Sequence, residues 1–127
     1  IDYKTGSYDL KKFDDKNPGE YFEKLISNPD YKDNFQAFFY GYFYSKDNKD
    51  KKINVGIYPV KKMQSGIDNL KADYIEKEEY ELFENSMKKL FMEIYDTKIS
   101  FKQVEDEKRC VYCPYSGLCY RDLNNTI

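Results

Sequence analysis

Apolar residues recur at helical spacing in two long segments of the chain. The first is an aromatic helix that begins at Asp30 or Asp33, either of which is a suitable N-cap, and ends near Ser45. The second helix covers residues 76–97 and carries an apolar stripe along its length. A shorter helix is predicted over residues 20–27. The apolar faces are Phe35, Phe38, Phe39, Tyr42 and Phe43 in the first helix, and Tyr80, Phe83, Met87, Leu90, Phe91, Ile94 and Tyr95 in the second.

Three shorter segments have the pattern of strands. Residues 53–60 are rich in β-branched side chains and bounded by polar turns, which is typical of a buried strand. Residues 1–4 are interpreted as the end of a strand, because the glycine turn at 5–7 follows directly. Residues 70–75 are predicted as a short strand, and residues 7–19 as a surface loop. The order of strands and helices predicts an α/β fold with a mixed sheet flanked by helices.

Composition narrows the functional classes. A length of 127 residues fits one modest domain or part of one. The net charge of −2 gives nucleic-acid binding no support, although it does not exclude it. The chain has no His, which excludes His general bases, Ser-His-Asp triads and His-rich metal sites. No apolar run approaches the roughly 20 residues that span a bilayer, and no signal peptide is visible, so a cytoplasmic location without membrane contact is predicted.

The first candidate site is the hexapeptide Ile1-Asp2-Tyr3-Lys4-Thr5-Gly6. Alternate residues of a strand share a face, so the Asp2 carboxylate and the Lys4 ammonium are expected side by side. A carboxylate binds Mg²⁺ or Mn²⁺, and a neighbouring Lys positions or deprotonates water or stabilises charge on a phosphate. The D-x-K spacing is common by chance, and an exposed ion pair is the alternative interpretation.

This hexapeptide resembles the third motif of the PD-(D/E)xK nucleases, in the branch that includes RecB-type nuclease domains and the CRISPR-adaptation exonucleases. The segment Gln36-Ala-Phe-Phe-Tyr40 is similar to that branch's Gln-x-x-x-Tyr helix, and residues 55–59 resemble its next core strand. The resemblance implies a restriction-endonuclease-like core that acts on DNA with Mg²⁺ or Mn²⁺. The implied catalytic residues are Asp2, Lys4, Gln36 and Tyr40, and the implied metal ligands are Asp2 and the backbone carbonyl of Tyr3.

Part of the family's site has no counterpart in this chain. The family also takes an acid from the preceding strand, and often a His or Glu from an earlier helix, and both would lie before Ile1. We therefore expect residues 1–127 to be the C-terminal part of a nuclease domain whose core is incomplete at its N-terminus. We expect this chain alone to show little or no nuclease activity.

The second candidate site is the C-x2-C-x5-C pattern of Cys110, Cys113 and Cys119, within a predicted cysteine-rich loop at 105–121. In a cytosolic chain such clustering indicates metal ligation before disulfides. Zinc and a [4Fe–4S] cluster each need a fourth ligand, which the composition does not offer. The pattern is similar to the tail of iron–sulfur nucleases of the same superfamily, which implies a [4Fe–4S] cluster with one more cysteine upstream. Arg121 is predicted to cap the loop, with a DNA phosphate contact as the alternative.

These motifs favour a metal-dependent DNA exonuclease domain of a repair or recombination protein, with a helicase domain or subunit as its expected partner. The first alternative is a nuclease-like fold that only binds DNA or protein, and the second is a zinc-binding interaction domain. The aromatic residues 42–44 are predicted to pack in the core rather than stack on bases. The charged run at 46–52 is predicted to be a solvent-exposed loop.

Overall fold

The computed structural model describes residues 1–121 of the chain. Two compact units are present, Ile1–Tyr95 and Asp96–Ile127. The first unit contains a small β-sheet and three α-helices, whereas the described part of the second contains short 3-10 helices and irregular backbone. The final residues of the predicted domain, 122–127, lie outside the described residues. Within the described chain, no helix combines the length and apolar content needed to cross a membrane.

The sheet of the first unit has three short strands, β1 (Asp2–Lys4), β2 (Gly56–Pro59) and β3 (Asp68–Asn69), in the order β1-β2-β3. Strands β1 and β2 are parallel, with Asp2 opposite Ile57 and Lys4 opposite Pro59. Strands β2 and β3 are antiparallel. The predicted α/β class with a mixed sheet is therefore confirmed, and the long connection between β1 and β2 carries two of the helices.

The helices are α1 (Pro18–Ser27), α2 (Lys32–Asp47) and α3 (Lys77–Tyr95). Pro18 suits the first turn of α1, where a missing backbone N–H costs nothing. A single 3-10 turn, Pro29–Tyr31, separates α1 from α2. All three predicted helices are confirmed, with ends that differ from the prediction by one or two residues.

One buried phenylalanine from each helix meets at the centre of the first unit. Phe22 of α1, Phe38 of α2 and Phe83 of α3 are at most 1% exposed. Their ring centroids lie 5.0 Å apart for Phe22 and Phe38, and 5.6 Å apart for Phe38 and Phe83. Phe38 fixes the rotation of α2 about its axis, and Gln36, two residues earlier, therefore lies on the opposite face of the helix.

The predicted strand at 70–75 is wrong. Residues 53–55 and 70–75 run side by side, and the backbone N–H of Leu70 donates to the Val55 carbonyl at 2.9 Å. The Ile75 N–H donates to the Ile53 carbonyl at 2.8 Å, so five residue steps on one segment face two on the other and no regular ladder forms. The side chain of Asn54 also bonds to the backbone here. Its Nδ2 donates to the Lys71 carbonyl at 3.0 Å, and its Oδ1 accepts from the Val55 N–H at 2.8 Å.

The aromatic residues at the end of α2 do not all pack inward. Tyr42 is half-buried, but Phe43 and Tyr44 are each 54% exposed, so the prediction of core packing is wrong for these two. Phe43 contacts Phe39 at 4.7 Å between ring centroids on the surface of the helix. Tyr44 lies two turns after Gln36 on the side of α2 that faces away from Phe38, so it cannot reach the core.

Replacing Gly56 of β2 by alanine is expected to lower the free energy of unfolding by about 2 kcal/mol. An added Cβ would lie 2.8 Å from the backbone oxygen of Asp68 and 2.8 Å from the Ile67 side chain. The backbone oxygen is held by the pairing of β2 with β3, so it cannot move aside cheaply. Urea unfolding measures the change, with Gly19→Ala as the control. Gly19 lies in α1 with nothing within 4 Å of its added Cβ. Equal stability of the two variants would contradict the close approach at Gly56.

Candidate active site

Strand β1 places Asp2 and Lys4 on one face of the sheet. The Lys4 Nζ lies 3.2 Å from Asp2 Oδ2, and the two side chains are only about one-fifth exposed, at 22% and 19%. Tyr3 points to the other face, where its ring meets Tyr58 edge-on at 5.7 Å between centroids. The alternation expected of a strand therefore holds, and the acid and the amine lie side by side.

Helix α2 brings Gln36 and Tyr40 to the same place. The Lys4 Nζ donates to Gln36 Oε1 at 2.5 Å, and Gln36 Nε2 donates to the Tyr40 hydroxyl at 3.0 Å. Gln36 and Tyr40 are one helical turn apart, so both side chains extend from the same face of α2. A continuous line of polar contacts thus runs from β1 to α2 through residues 32 positions apart. The structure brings together the four residues that the sequence predicts as catalytic.

Asp33 is a member of this cluster that sequence reasoning missed. Its Oδ1 lies 3.3 Å from Lys4 Nζ, and the residue is 5% exposed. The expectation that Asp30 or Asp33 caps the helix is wrong, because α2 begins at Lys32 with Tyr31 in the capping position and no side-chain cap. The missed signal was the spacing from Asp33 to Gln36, since residues three apart share a helix face.

The segment before α1 anchors the first turn of α2. The backbone N–H of Asp9 donates to Asp33 Oδ2 at 2.9 Å. Asn34, fully buried, accepts from the Lys11 N–H at 3.0 Å and donates to the Lys11 carbonyl at 2.6 Å. Phe13 belongs to the core, with 8% exposure. Residues 7–19 are predicted as a surface loop, but these contacts attach the segment to α2. Through the hydrogen bond from Asp9, the segment holds the Asp33 side chain in its orientation toward Lys4.

Lys4 is a cation at neutral pH in this setting. Partial burial disfavours the ammonium and is the largest single influence on its pKa, but hydrogen bonds and attraction from Asp2 and Asp33 together outweigh it. The net result raises the pKa of Lys4 above its ordinary value of 10.5. A raised folded-state pKa stabilises the fold below pH 10.5, and that contribution is lost only as the pH rises through the higher value. The positive charge of Lys4 is therefore held between the carboxylates of Asp2 and Asp33.

The donor set at this site matches what Mg²⁺ uses. Two carboxylates flank one ammonium, so the local charge is negative by one, and carboxylate oxygens are hard ligands. Mg²⁺ is typically bound through one or two carboxylates, with water and phosphate oxygens completing the shell. No group of three or more His, Cys, Asp or Glu residues suited to holding a metal ion occurs among the described residues. Asp2 and the adjacent Tyr3 carbonyl therefore stay predicted ligands of a divalent cation.

The second unit contains the three cysteines, all of them free thiols. Cys110 is buried, and Cys113 and Cys119 are partly buried. The Cys113 N–H donates to the Cys110 carbonyl at 3.0 Å, so the C-x2-C pair forms a tight turn. Since the three thiols do not form a ligand group within the described residues, the iron–sulfur assignment stays a prediction.

Arg121 caps the cysteine loop, as predicted. Its side chain donates to the Val104 carbonyl, and the same guanidinium nitrogen lies 3.9 Å from the Cys110 sulfur. Its backbone N–H donates to the Ser116 carbonyl at 2.9 Å. Tyr120, the residue before it, has a left-handed backbone with φ of 55°, which turns the chain back toward the loop.

Comparison with known proteins gives one match. A family model described as the PD-(D/E)XK nuclease superfamily matches residues 1–120, which is nearly the whole chain. No curated protein and no solved structure matches. The family match covers both the Asp2–Lys4 strand and the Gln36–Tyr40 helix.

Proposed function

Because the chain belongs to the PD-(D/E)XK nuclease superfamily, we propose that its Asp2–Lys4 centre hydrolyses DNA phosphodiester bonds with the help of a divalent metal ion. One observation carries the proposal: Lys4 lies within 3.3 Å of two carboxylates and 2.5 Å of Gln36. Two motifs far apart in sequence therefore share one polar site. An exposed ion pair of the common kind would not be built into such a network.

Each residue of the site has a separate role in the proposed mechanism. Bound Mg²⁺ or Mn²⁺ would polarise a phosphoryl oxygen and make water more acidic. Asp2 and the Tyr3 carbonyl would hold this cation. Lys4 remains protonated and donates to the phosphate oxygens as negative charge develops on them. Gln36 accepts from Lys4, and Tyr40 in turn accepts from Gln36, which fixes the direction of the ammonium.

The finer proposal is an exonuclease of DNA repair or recombination that works with a helicase domain or subunit. Its support is the ordered set of motifs, D-x-K, then Q-x-x-x-Y, then C-x2-C-x5-C. On the same basis, Cys110, Cys113 and Cys119 are proposed to supply three of the four ligands of a [4Fe–4S] cluster. The cluster would join distant parts of the domain and take no part in the hydrolysis.

The function is tested with the natural protein at its full length, incubated with Mg²⁺ or Mn²⁺ and either linear or covalently closed circular DNA. We expect mononucleotides or short products from linear DNA, none from closed circles, and no products in EDTA. Cleavage of the closed circle would disprove the exonuclease assignment and leave the hydrolysis standing. Tight DNA binding without cleavage in either ion would favour the non-catalytic binding module instead.

A further inference from the structure

Helix α2 continues past the candidate active site with exposed aromatic rings on the same side. Tyr40 is 51% exposed, and Tyr44, one turn further on, is 54% exposed. From Gln36 to Tyr44 the helix rises about 12 Å. Within the described chain, the Tyr44 ring stacks on no other aromatic side chain, whereas Phe43 beside it packs against Phe39 and Tyr42. Tyr44 therefore has more than half of its surface open to solvent and no aromatic partner among the described residues.

A groove of about 350 Å³ lies between this face of α2 and the sheet. Asp2 lines one end, Tyr40 and Tyr44 line the helix side, and Gly41 contributes to the floor. A Cβ at Gly41 would lie 2.4 Å from the Val55 side chain, so the helix approaches the 53–55 segment too closely for a side chain there. The lining also includes the apolar residues Ile1, Ala37 and Ile53. One wall carries stacking surfaces, and the active-site carboxylate lies within the same groove.

A second, larger groove shares the lining residue Ile53 with the first. It has a volume of about 650 Å³, and Lys49, Lys51 and Lys52 are part of its rim. Lys52 lies over the Tyr74 ring at 4.2 Å from its centroid. Lys49, Lys51 and Lys52 form no ion pair with any described carboxylate. The charged run at 46–52, predicted as a solvent loop, thus places Lys49 and Lys51 in the lining of the second groove, where five lysines outnumber three glutamates.

We propose that these two grooves form a track for single-stranded nucleic acid, with Tyr44 as a base-stacking platform and Lys49 and Lys51 as phosphate contacts. The inference rests on the proposed function, and it specifies where the strand leaves the Asp2–Lys4 centre. Exposed aromatic rings bind unpaired bases whatever their sequence, because every base has a π-face. A duplex hides those faces, because its bases are paired and stacked on one another. The lysines match the negative backbone, which a neutral apolar ligand would not require.

Binding is measured with the natural protein at its full length, in EDTA to prevent cleavage, by fluorescence anisotropy of a labelled oligothymidylate. Tyr44→Ala is expected to weaken binding about tenfold, the effect of losing one stacked base, whereas Tyr44→Phe retains the ring and most of the affinity. Tyr95→Ala is the control, because Tyr95 is 79% exposed on α3 and lies outside both grooves. Unchanged affinity of Tyr44→Ala, or an equal loss with a blunt duplex, would overturn the track.

The proposed phosphate contacts of Lys49 and Lys51 are tested separately, by the salt dependence of binding. The double variant Lys49→Ala/Lys51→Ala is expected to reduce the slope of log K against log salt by about 1.4, which corresponds to two lost phosphate contacts on a single strand. Lys16→Ala/Lys24→Ala, from the loop before α1 and from α1 itself, is the matched control and should keep the slope. An unchanged slope in the first double variant would remove these lysines from the path.

Cleavage assays on the same preparations separate the two ideas. If the wild-type protein binds the oligonucleotide through Tyr44 but cleaves nothing with either divalent ion, the hydrolysis is wrong and the track stands. If the protein cleaves DNA while Tyr44→Ala changes neither affinity nor rate, the track is wrong and the hydrolysis stands.

Discussion

Replacing Lys4 by alanine is expected to lower the rate of DNA cleavage about 100- to 1000-fold, the loss typical when a preorganised donor to developing negative charge is removed. The ammonium lies 3.2 Å from Asp2 and 3.3 Å from Asp33, so its removal leaves two carboxylates close together without the cation between them. Both the charge that faces the phosphate and the orientation of Asp2 change. Single-turnover cleavage of end-labelled linear DNA by the natural protein at its full length measures the effect.

A double-mutant cycle tests whether Asp2 and Lys4 act together in one catalytic centre. Asp2→Asn should lose at least as much activity as Lys4→Ala, and the double variant should lose little more than either, because groups that act as a unit are not additive. Glu93→Gln, on an exposed face of α3, is the control for the loss of a carboxylate. If the loss in the double variant equals the product of the two single losses, Asp2 and Lys4 do not share one centre.

Local periodicity accounts for the residues that the sequence identified. Asp2 and Lys4 alternate on a strand, and Gln36 and Tyr40 are one turn apart on a helix, so each pair is placed by its own element. Periodicity does not predict that the two pairs lie next to each other. Residues 4 and 36 touch only because β1 and α2 pack together. The motif resemblance supplied that step, which periodicity alone does not contain.

The wrong predictions for Asp33, the 70–75 segment and Tyr44 share one cause. Each of these positions is determined by contacts between segments far apart in the chain. Asp is a residue type that often caps helices. The carboxylate of Asp33, however, is bound by Lys4 and by the backbone of Asp9, which lies 24 positions earlier. Asn54 looks like an ordinary strand residue, yet its amide donates to the backbone of the 70–75 segment. Tyr44 fits the helical aromatic pattern, but the burial of Phe38 turns it away from the core. Polar side chains that bond to distant backbone override local propensity in the first two cases.

Replacing Asp33 by alanine is expected to lower the free energy of unfolding by about 2–4 kcal/mol and to reduce cleavage as well. The change leaves the Asp9 N–H without its acceptor and removes one of the two carboxylates that hold Lys4. Because Asp33 is 5% exposed, water does not readily replace either contact. Urea unfolding gives the stability, as a shift in midpoint with an unchanged slope, and the cleavage assay gives the rate.

Asp33→Asn separates the structural role from the electrostatic one. The amide oxygen still accepts from Asp9, so most of the stability should return, but the side chain no longer carries charge toward Lys4. Cleavage should therefore remain below wild type in a protein that unfolds almost normally. If Asp33→Asn restores both the stability and the cleavage rate, Asp33 only holds the 7–19 segment in place. Its charge then has no effect on the site. If Asp33→Ala unfolds at the wild-type midpoint, the buried contacts of Asp33 contribute nothing, and the proposed coupling between the 7–19 segment and Lys4 fails with them.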